Sequence, residues 1–269
     1  MTVGEALAGC GIDPAEARML LERASGFSRA TIAAHPEYVL SDAAAEAFAV
    51  SIERRRHGEP VAYLLGEREF YSLALKVTPD VLIPRHETEL LVDFALEHLP
   101  VGGSVVDLGT GSGAIALAVK HQRPDARVCA VDQSAAALEV ALANALHHAL
   151  EIEFLHGSWL APLAARRFDV IVSNPPYVAH GDRHLSEGDV RFEPCAALLG
   201  GEDGLCEIRR IVAGAPRHLN KGGWLAIEHG YDQDEKVRKL LVEAGLVSVS
   251  SRPDLSGIAR ISVGKYNLE

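Results

Sequence analysis

At 269 residues, with 48% hydrophobic and 23% charged side chains, the chain is long enough for one large domain plus a small one and apolar enough for a sizeable core. A net charge of −11 and a pI near 5.5 argue against broad, non-specific nucleic-acid binding, where phosphate contacts supply most of the affinity. No apolar run is long enough to span a membrane, Met1-Thr2-Val3-Gly4-Glu5 lacks the basic start of a signal peptide, and Cys10, Cys129, Cys195 and Cys206 form no close pair, so a cytoplasmic protein without a zinc site or disulfide framework is expected.

Residues before about Ala74 read as helical. Asp13-Pro14-Ala15-Glu16 is a compact start signal, with Asp at the N-cap, Pro in the first turn and Glu at the capping-box position. Met19, Leu20 and Leu21 follow as an apolar cluster. A second helix starts near Ser41-Asp42, runs through Phe48, Val50 and Ile52, and reaches Arg54-Arg55-Arg56-His57. That basic run is read as a solvated helix C-terminus, where cations suit the dipole, in preference to a nucleic-acid patch. Glu67 to Val81 alternates enough for a short β-hairpin. The expected division is a helical unit over residues 1–74, a hairpin or linker over 75–84 and a strand–helix unit over 85–269.

Strand and helix patterns then alternate, which implies an α/β fold with a mainly parallel, Rossmann-like sheet. The expected strands are Ser104–Leu108, Arg127–Val131, Ile152–His156, Phe168–Ser173, Trp224–His229, Leu246–Ser251 and Arg260–Lys265. Only Arg252 to Gly257 separates the last two, so they are expected to pair as an antiparallel hairpin at the sheet edge. Cys129 lies inside an apolar strand and reads as inert core.

Asp107-Leu108-Gly109-Thr110-Gly111-Ser112-Gly113 joins the first strand to a helix beginning at Ala114. A glycine-rich turn there lets backbone approach a ligand at the positive end of the helix dipole. It is shorter than the Gly-x-Gly-x-x-Gly fingerprint that wraps a pyrophosphate, which favours a nucleoside ligand. Asp132 ends the next strand, where a carboxylate suits two ribose hydroxyls; it also suits the N-cap of the helix expected over Gln133–Leu142. Trp159, in Gly157-Ser158-Trp159 after the third strand, either stacks on an adenine or packs as a core Trp.

The fourth strand ends in Asn174-Pro175-Pro176-Tyr177. The prolines have no N–H, so the strand stops and nearby carbonyls are free to face a ligand. The Asn side chain offers an acceptor and the Tyr ring a flat face. Together they suit a planar –NH2 group, as a methyl transfer to an amide or exocyclic amine needs.

These two motifs resemble the class I S-adenosylmethionine-dependent methyltransferases. Further blocks sharpen the likeness: Arg55 to Gly66 with Pro60-Val61-Ala62-Tyr63-Leu64-Leu65, Glu67-Arg68-Glu69-Phe70-Tyr71, Val81 to Leu91, Glu193-Pro194 with Ala197-Leu198, and Gly200-Gly201-Glu202-Asp203-Gly204-Leu205. Over essentially its whole length the chain resembles the HemK/PrmC family, protein-(glutamine) methyltransferases that act on peptide chain release factors. One departure is His86, where the family pattern has proline.

The resemblance implies a seven-stranded class I methyltransferase sheet with a small helical N-terminal domain. It implies S-adenosyl-L-methionine as methyl donor, S-adenosyl-L-homocysteine as product, and no metal. Asp107, Gly109, Thr110, Gly111, Ser112, Gly113, Asp132, Trp159 and Asn174 would bind the donor. Asn174, Pro175, Pro176 and Tyr177 would bind the acceptor, with Asn174, Pro175 and Tyr177 catalytic. The acceptor would be the glutamine of the Gly-Gly-Gln loop of class-1 release factors, gripped elsewhere by the helical domain. Arg85 and Glu89 either gate the site or cap the helix expected over Glu87–Leu99, and Glu228 has no assigned role. His121, His147 and His148 read as solvated. Neither membrane association nor sequence-specific nucleic-acid binding is expected. The competing readings are methylation of a ribosomal-protein glutamine, methylation of a nucleic-acid base amine, and a non-catalytic adaptor; the intact motifs count against the last.

Overall fold

The computed structural model describes residues 1–267. The chain forms two compact units: Met1–Glu67 with Ser186–Phe192, and Arg68–Leu185 with Glu193–Glu269.

The first unit holds five helices: α1 (Val3–Ala8), α2 (Pro14–Ser25), α3 (Arg29–Ala34), α4 (Asp42–Arg56) and α5 (Val61–Leu65). Asp13 caps α2 as expected, accepting from the Ala15 and Glu16 amides. Glu16 does not close a capping box there, because its carboxylate is taken by the Arg55 guanidinium at 2.7 and 2.8 Å. The reciprocal capping box lies at α1 instead, between Thr2 and Glu5. Leu20, Leu21, Ile32, Phe48 and Ile52 form the core of this unit.

The basic run at the end of α4 is solvated as expected at Arg54, Arg56 and His57, while Arg55 is largely covered. Arg54 pairs with Glu59, Arg55 with Glu16 and Asp189, and Arg56 donates to the Cys10 and Gly9 carbonyls. The guanidinium fork suits bidentate carboxylates and clustered carbonyls, so the three arginines are engaged within the unit. His57 is exposed, but its ring bonds to the Glu53 carbonyl.

In the second unit, the hairpin of β1 (Glu67–Phe70) and β2 (Leu73–Lys76) comes before most of the 75–84 stretch first assigned to it. The rest alternates: α6 (Glu89–His98), β3 (Ser104–Leu108), α7 (Ala114–Gln122), β4 (Arg127–Asp132), α8 (Ala135–His147), β5 (Glu153–His156), β6 (Phe168–Ser173), α9 (Cys206–Gly214), β7 (Leu219–Glu228), α10 (Asp234–Glu243), β8 (Val247–Pro253) and β9 (Ala259–Lys265).

β3 to β9 form one seven-stranded sheet in the order β5-β4-β3-β6-β7-β9-β8, with β9 antiparallel to both neighbours. The class I methyltransferase sheet and its terminal hairpin are thus as expected. Both faces are covered, so the central strands are near-continuous apolar runs. Val105, Val170 and Val172 pack on one side with Leu91, Phe94 and Leu117; Val106, Leu108 and Ile171 pack on the other with Ile208, Ile211 and Leu241.

Strand order reverses between β3 and β6, and ligands of such sheets bind beyond the carboxyl ends at that switch point. Leu108 pairs with Val131 on one side and Ser173 on the other. Gly109, Asp132 and Asn174 therefore leave the sheet at one level.

Asn144, buried in α8, ties the glycine turn to the hairpin. Its Oδ1 accepts from the Lys76 amide at 2.7 Å, and its Nδ2 donates to the Lys76 and Ser112 carbonyls at 3.0 and 2.9 Å. Asn144→Ala would leave the buried Ser112 carbonyl without this partner, at about 1–3 kcal/mol, and would free the part-buried Lys76 groups. Chemical denaturation should show that loss, together with weakened ligand binding at the turn; a variant as stable as wild type would contradict it.

Candidate active site

A cavity of about 350 Å³ opens at the carboxyl ends of β3, β4 and β6. It is within the range of small-molecule sites, about 300–1,000 Å³. Gly109, Thr110, Gly111, Ser112, Asp132, Trp159, Asn174 and Pro176 line it, as anticipated, with Asp80, Leu82, Pro84, Thr88, Ile115, Ser134, Pro194 and Ala197 among those not anticipated.

The glycine turn is locked by its own hydrogen bonds. The Gly109 and Thr110 amides both donate to the Val131 carbonyl, Gly111 to Asp132 Oδ2, and Gly113 to the Thr110 carbonyl. With those N–H groups engaged, the turn offers a close backbone surface and not an anion cradle. At Gly109, φ is +75° and an added Cβ would lie 2.9 Å from the Trp159 ring. That ring is held in place because its Nε1 donates to Glu207 at 2.6 Å. Trp159 therefore faces the cavity beside the turn and also packs against the core on that side of the sheet.

Two anticipated donor-site residues lie outside the cavity lining. Gly113 is the N-cap of α7, where a Cβ would strike Leu117, so it packs α7. Asp107 sits behind the turn, 1% exposed. Its Oδ2 accepts the Thr110 hydroxyl at 2.6 Å, and its Oδ1 has no hydrogen-bond partner. Burial pushes its carboxyl up to about 7, against the pull of that hydroxyl.

Asp132 does not cap α8, because the chain runs on two residues and Ser134 takes that position. The Asp132 carboxylate instead accepts from the Gly111 amide through Oδ2 and the Ser134 amide through Oδ1, both at 2.8 Å. Each oxygen keeps a further lone pair, and the residue faces the cavity half-exposed.

On the β6 side, Asn174 is half-buried and Pro175 and Pro176 are buried. Pro175 and Tyr177 do not line the cavity as drawn; Asn174 and Pro176 do. The Tyr177 hydroxyl donates to Glu228 Oε1 at 3.3 Å. Burial and that neighbouring carboxylate raise the phenol far above its ordinary range, so Tyr177 stays neutral. Glu228, at the end of β7, is 2% exposed, and burial raises its carboxyl to about 7.

The Gly200–Leu205 block seats this motif. A Cβ at Gly200 would lie 2.6 Å from the Pro176 carbonyl oxygen, and one at Gly204 2.3 Å from that of Tyr177. Only glycine allows backbone that close. The Tyr177 carbonyl also accepts from Gln233 Nε2 at 3.0 Å.

Arg85 forms an ion pair with buried Glu193, which fixes the loop carrying Pro194 and Ala197 to the cavity. Glu89 does not cap α6 through its side chain; it accepts the Tyr71 amide at 3.1 Å and so holds the hairpin. His121 and His147 are exposed, but His148 is half-buried and its Nε2 meets the Ala74 carbonyl at 2.8 Å. His86 is exposed beside Arg68. Among the described residues, no cluster of three His, Cys, Asp or Glu side chains is placed to hold a metal, and no helix is long and apolar enough to cross a membrane.

The two buried carboxyls make stability pH-dependent. Both are raised in the folded state, Asp107 from 3.8 and Glu228 from 4.5, to about 7. Between those limits the folded protein binds more protons than the unfolded chain, so stability falls as pH rises. The slope is at most about 1.4 kcal/mol per pH unit for each group. Denaturation of wild type from pH 5 to 7.5 should show this decline, and Asp107→Asn should make it shallower. An unchanged slope would remove Asp107 as a cause.

Residues 5–66 match the family description "PrmC N-terminal domain", and residues 86–202 match "Methyltransferase small domain". Similar proteins include the release factor glutamine methyltransferases of Bordetella pertussis (51% identity; 96% of this chain and 97% of that protein), Xylella fastidiosa strain Temecula1 (49%; 94% of each) and Neisseria gonorrhoeae (47%; 99% and 98%). Among solved structures, a methyltransferase from Pyrococcus furiosus superposes with a TM-score of 0.57 at 19% identity, covering 80% of this chain and 98% of that one. The hMettl16 catalytic domain superposes with a TM-score of 0.61 at 13% identity, covering 82% and 81%. Those structural likenesses carry the fold; near-full-length identity carries the family, and this chain belongs to the release factor glutamine methyltransferases.

Proposed function

We propose that this enzyme transfers a methyl group from S-adenosylmethionine to the side-chain amide nitrogen of the glutamine in the Gly-Gly-Gln motif of class-1 peptide chain release factors. The observation that carries the reading is the placement of Asn174 and Pro176 in one cavity with the glycine turn and Asp132. The near-full-length relatives bear the name of that activity. A cytoplasmic location follows from the substrate.

The cavity suits the methyl donor on its own features. The turn has no side chain at Gly109 or Gly111, its N–H groups are engaged, and Trp159 supplies a flat apolar wall. That suits a nucleoside better than a pyrophosphate. Asp132 keeps lone pairs for two hydroxyls. When bound, S-adenosylmethionine supplies a methyl group made electrophilic by its positively charged sulfur.

The remaining work falls to this chain. An amide nitrogen is a poor nucleophile, because its lone pair is delocalised into the carbonyl. The Asn174 side-chain oxygen and the Pro175 carbonyl would accept its two hydrogens, which fixes the lone pair's direction and favours pyramidal nitrogen. Tyr177 would pack on the amide plane, kept neutral by burial and by Glu228. Such orientation supplies up to roughly 7–11 kcal/mol of barrier lowering. A single glutamine offers little surface, whereas specific protein interfaces bury about 1,200–2,000 Å². The helical N-terminal unit, Met1–Glu67, would supply the rest of the grip.

The reading is tested by offering labelled S-adenosylmethionine with purified release factor, a ribosomal-protein mixture and DNA, then mapping the label by mass spectrometry. Label should appear on the release-factor glutamine; label confined to another acceptor would overturn the substrate assignment. Asp132→Ala should weaken donor binding about 10- to 150-fold in calorimetry, the equivalent of one charge-assisted hydrogen bond. Asn174→Ala should slow single-turnover methylation by about 100- to 1000-fold while release-factor affinity changes little. A near-normal rate at saturating substrates would remove Asn174 from the chemistry.

A further inference from the structure

The two ends of an asparagine amide have the same shape and opposite hydrogen-bonding sense. Oδ1 only accepts and Nδ2 only donates, and half a turn about χ2 exchanges them. An acceptor –NH2 group needs Oδ1. If Nδ2 faced it instead, two donors would oppose each other. Something in the protein must choose between the two, and the strand-end carbonyls do not.

We propose that Thr88 and Glu228 are positioning residues that set the direction of the Asn174 amide, and that Glu228 must be ionised for them to do so. This rests on the reading of Asn174 as the residue that accepts a hydrogen from the substrate amide.

Asn174 Nδ2 donates to Thr88 Oγ1 at 3.1 Å, and Thr88 is 4% exposed. A hydroxyl both donates and accepts, so Thr88 alone does not decide the direction. Its hydroxyl lies beside the Glu228 carboxyl, whose Oε2 is buried with no donor bonded to it. An ionised carboxylate accepts only. It would therefore draw the Thr88 proton towards itself, which leaves a Thr88 lone pair for Asn174 Nδ2 and turns Oδ1 outward.

The topology makes this chain of contacts possible. Ser173 pairs with Ile227, so Asn174 and Glu228 are the next residues on neighbouring strands. Thr88, just before α6, bonds to Asn174 and lies beside Glu228. Tyr177 donates to Glu228 Oε1, while Oε2 is buried without a hydrogen-bond partner. The carboxyl thus has unfilled acceptor capacity on the side away from water.

The other charges around Glu228 leave its proton affinity high. Glu87 raises it. Arg260, from β9, lowers it, but that guanidinium is itself bonded to Asp254 at 2.8 Å. Thr88 and Tyr177 lower it through hydrogen bonds, and burial outweighs all three. The adjacent His229 is turned away, towards Ser262 and the Gly230 carbonyl. When Glu228 is protonated it becomes a donor. It can then donate to Thr88, whose own proton turns to Asn174 and favours the reversed amide. Turnover should fall as pH drops through the ionisation of Glu228, near 7.

Single-turnover rates at saturating donor and release factor across the neutral range would test this, with donor affinity measured alongside. Thr88→Val should slow methylation about 10- to 100-fold, as expected for a misplaced catalytic group. Release-factor affinity should hold. Thr88→Ser keeps the hydroxyl and should recover most of the rate. Glu228→Gln, close in shape but unable to ionise, should lose the rise in rate with pH that wild type shows. If Thr88→Val does not fold, the Thr88→Ser and Glu228→Gln profiles carry the test. The proposal is overturned if Glu228→Gln keeps the wild-type pH profile, or if Thr88→Val turns over like wild type. Should Asn174→Ala remain inactive in either case, the active-site reading stands without it. An active Asn174→Ala would remove the reading itself.

Discussion

The register of three strands is the constraint on which the site depends. Leu108 lies opposite both Val131 and Ser173, so a residue added to or lost from any of these strands would displace one wall of the cavity. The register is fixed by side chains whose alternation serves two cores at once. A one-residue slip in β6 would exchange Val170 and Val172 with Ile171 between faces. The Ser173 hydroxyl donates to the Leu108 carbonyl at 2.7 Å, pinning the pair where the ladder ends. Glycine turn, ribose-suited carboxylate and Asn-Pro-Pro-Tyr thus inherit their relative heights from the packed sheet.

The electrostatics of the unit oppose its stability at neutral pH. Asp107 and Glu228 are buried at the ends of β3 and β7, each with an oxygen that lacks a hydrogen-bond partner. Buried carboxyls of this kind are costly to ionise, and perturbed groups beside a cleft are concentrated at functional sites. Both flank the strands that carry the candidate chemistry. Ionised, they bias the pocket towards a cationic ligand. Neutralised, they stabilise the fold. The proximity of both values to 7 places the enzyme between those limits.

What the sequence made legible was what its consecutive residues decide. The glycine turn, Asp132 and Asn174 to Tyr177 are short runs attached to apolar strands, and each arrived at the cavity rim or directly behind it. The sheet edge was readable because Arg252 to Gly257 is too short for a crossover helix. What escaped was set by distant pairs. Thr88 and Asn174 are 86 positions apart, and Asn144 and Lys76 are 68 apart. Arg55 looked solvated because Glu16 and Asp189 lie 39 and 134 residues away. Asp132 had two local uses on paper. The structure gives the cap to Ser134, since the backbone turns once more before α8 begins.

The Asn174–Tyr177 side of the cavity is held by tightly constrained backbone. Two prolines hold their φ angles near −65°, and a third constraint comes from Gly200 and Gly204 pressed against the Pro176 and Tyr177 carbonyls. Gln233 also ties the Tyr177 carbonyl, beside Gly204. Backbone fixed in this way loses little entropy when a ligand docks, so binding energy is not consumed in ordering the motif. The Asn174 side chain is the part that retains a choice, between two orientations of equal shape. A rigid frame around one two-state group leaves that choice to the group's hydrogen-bond partner, Thr88.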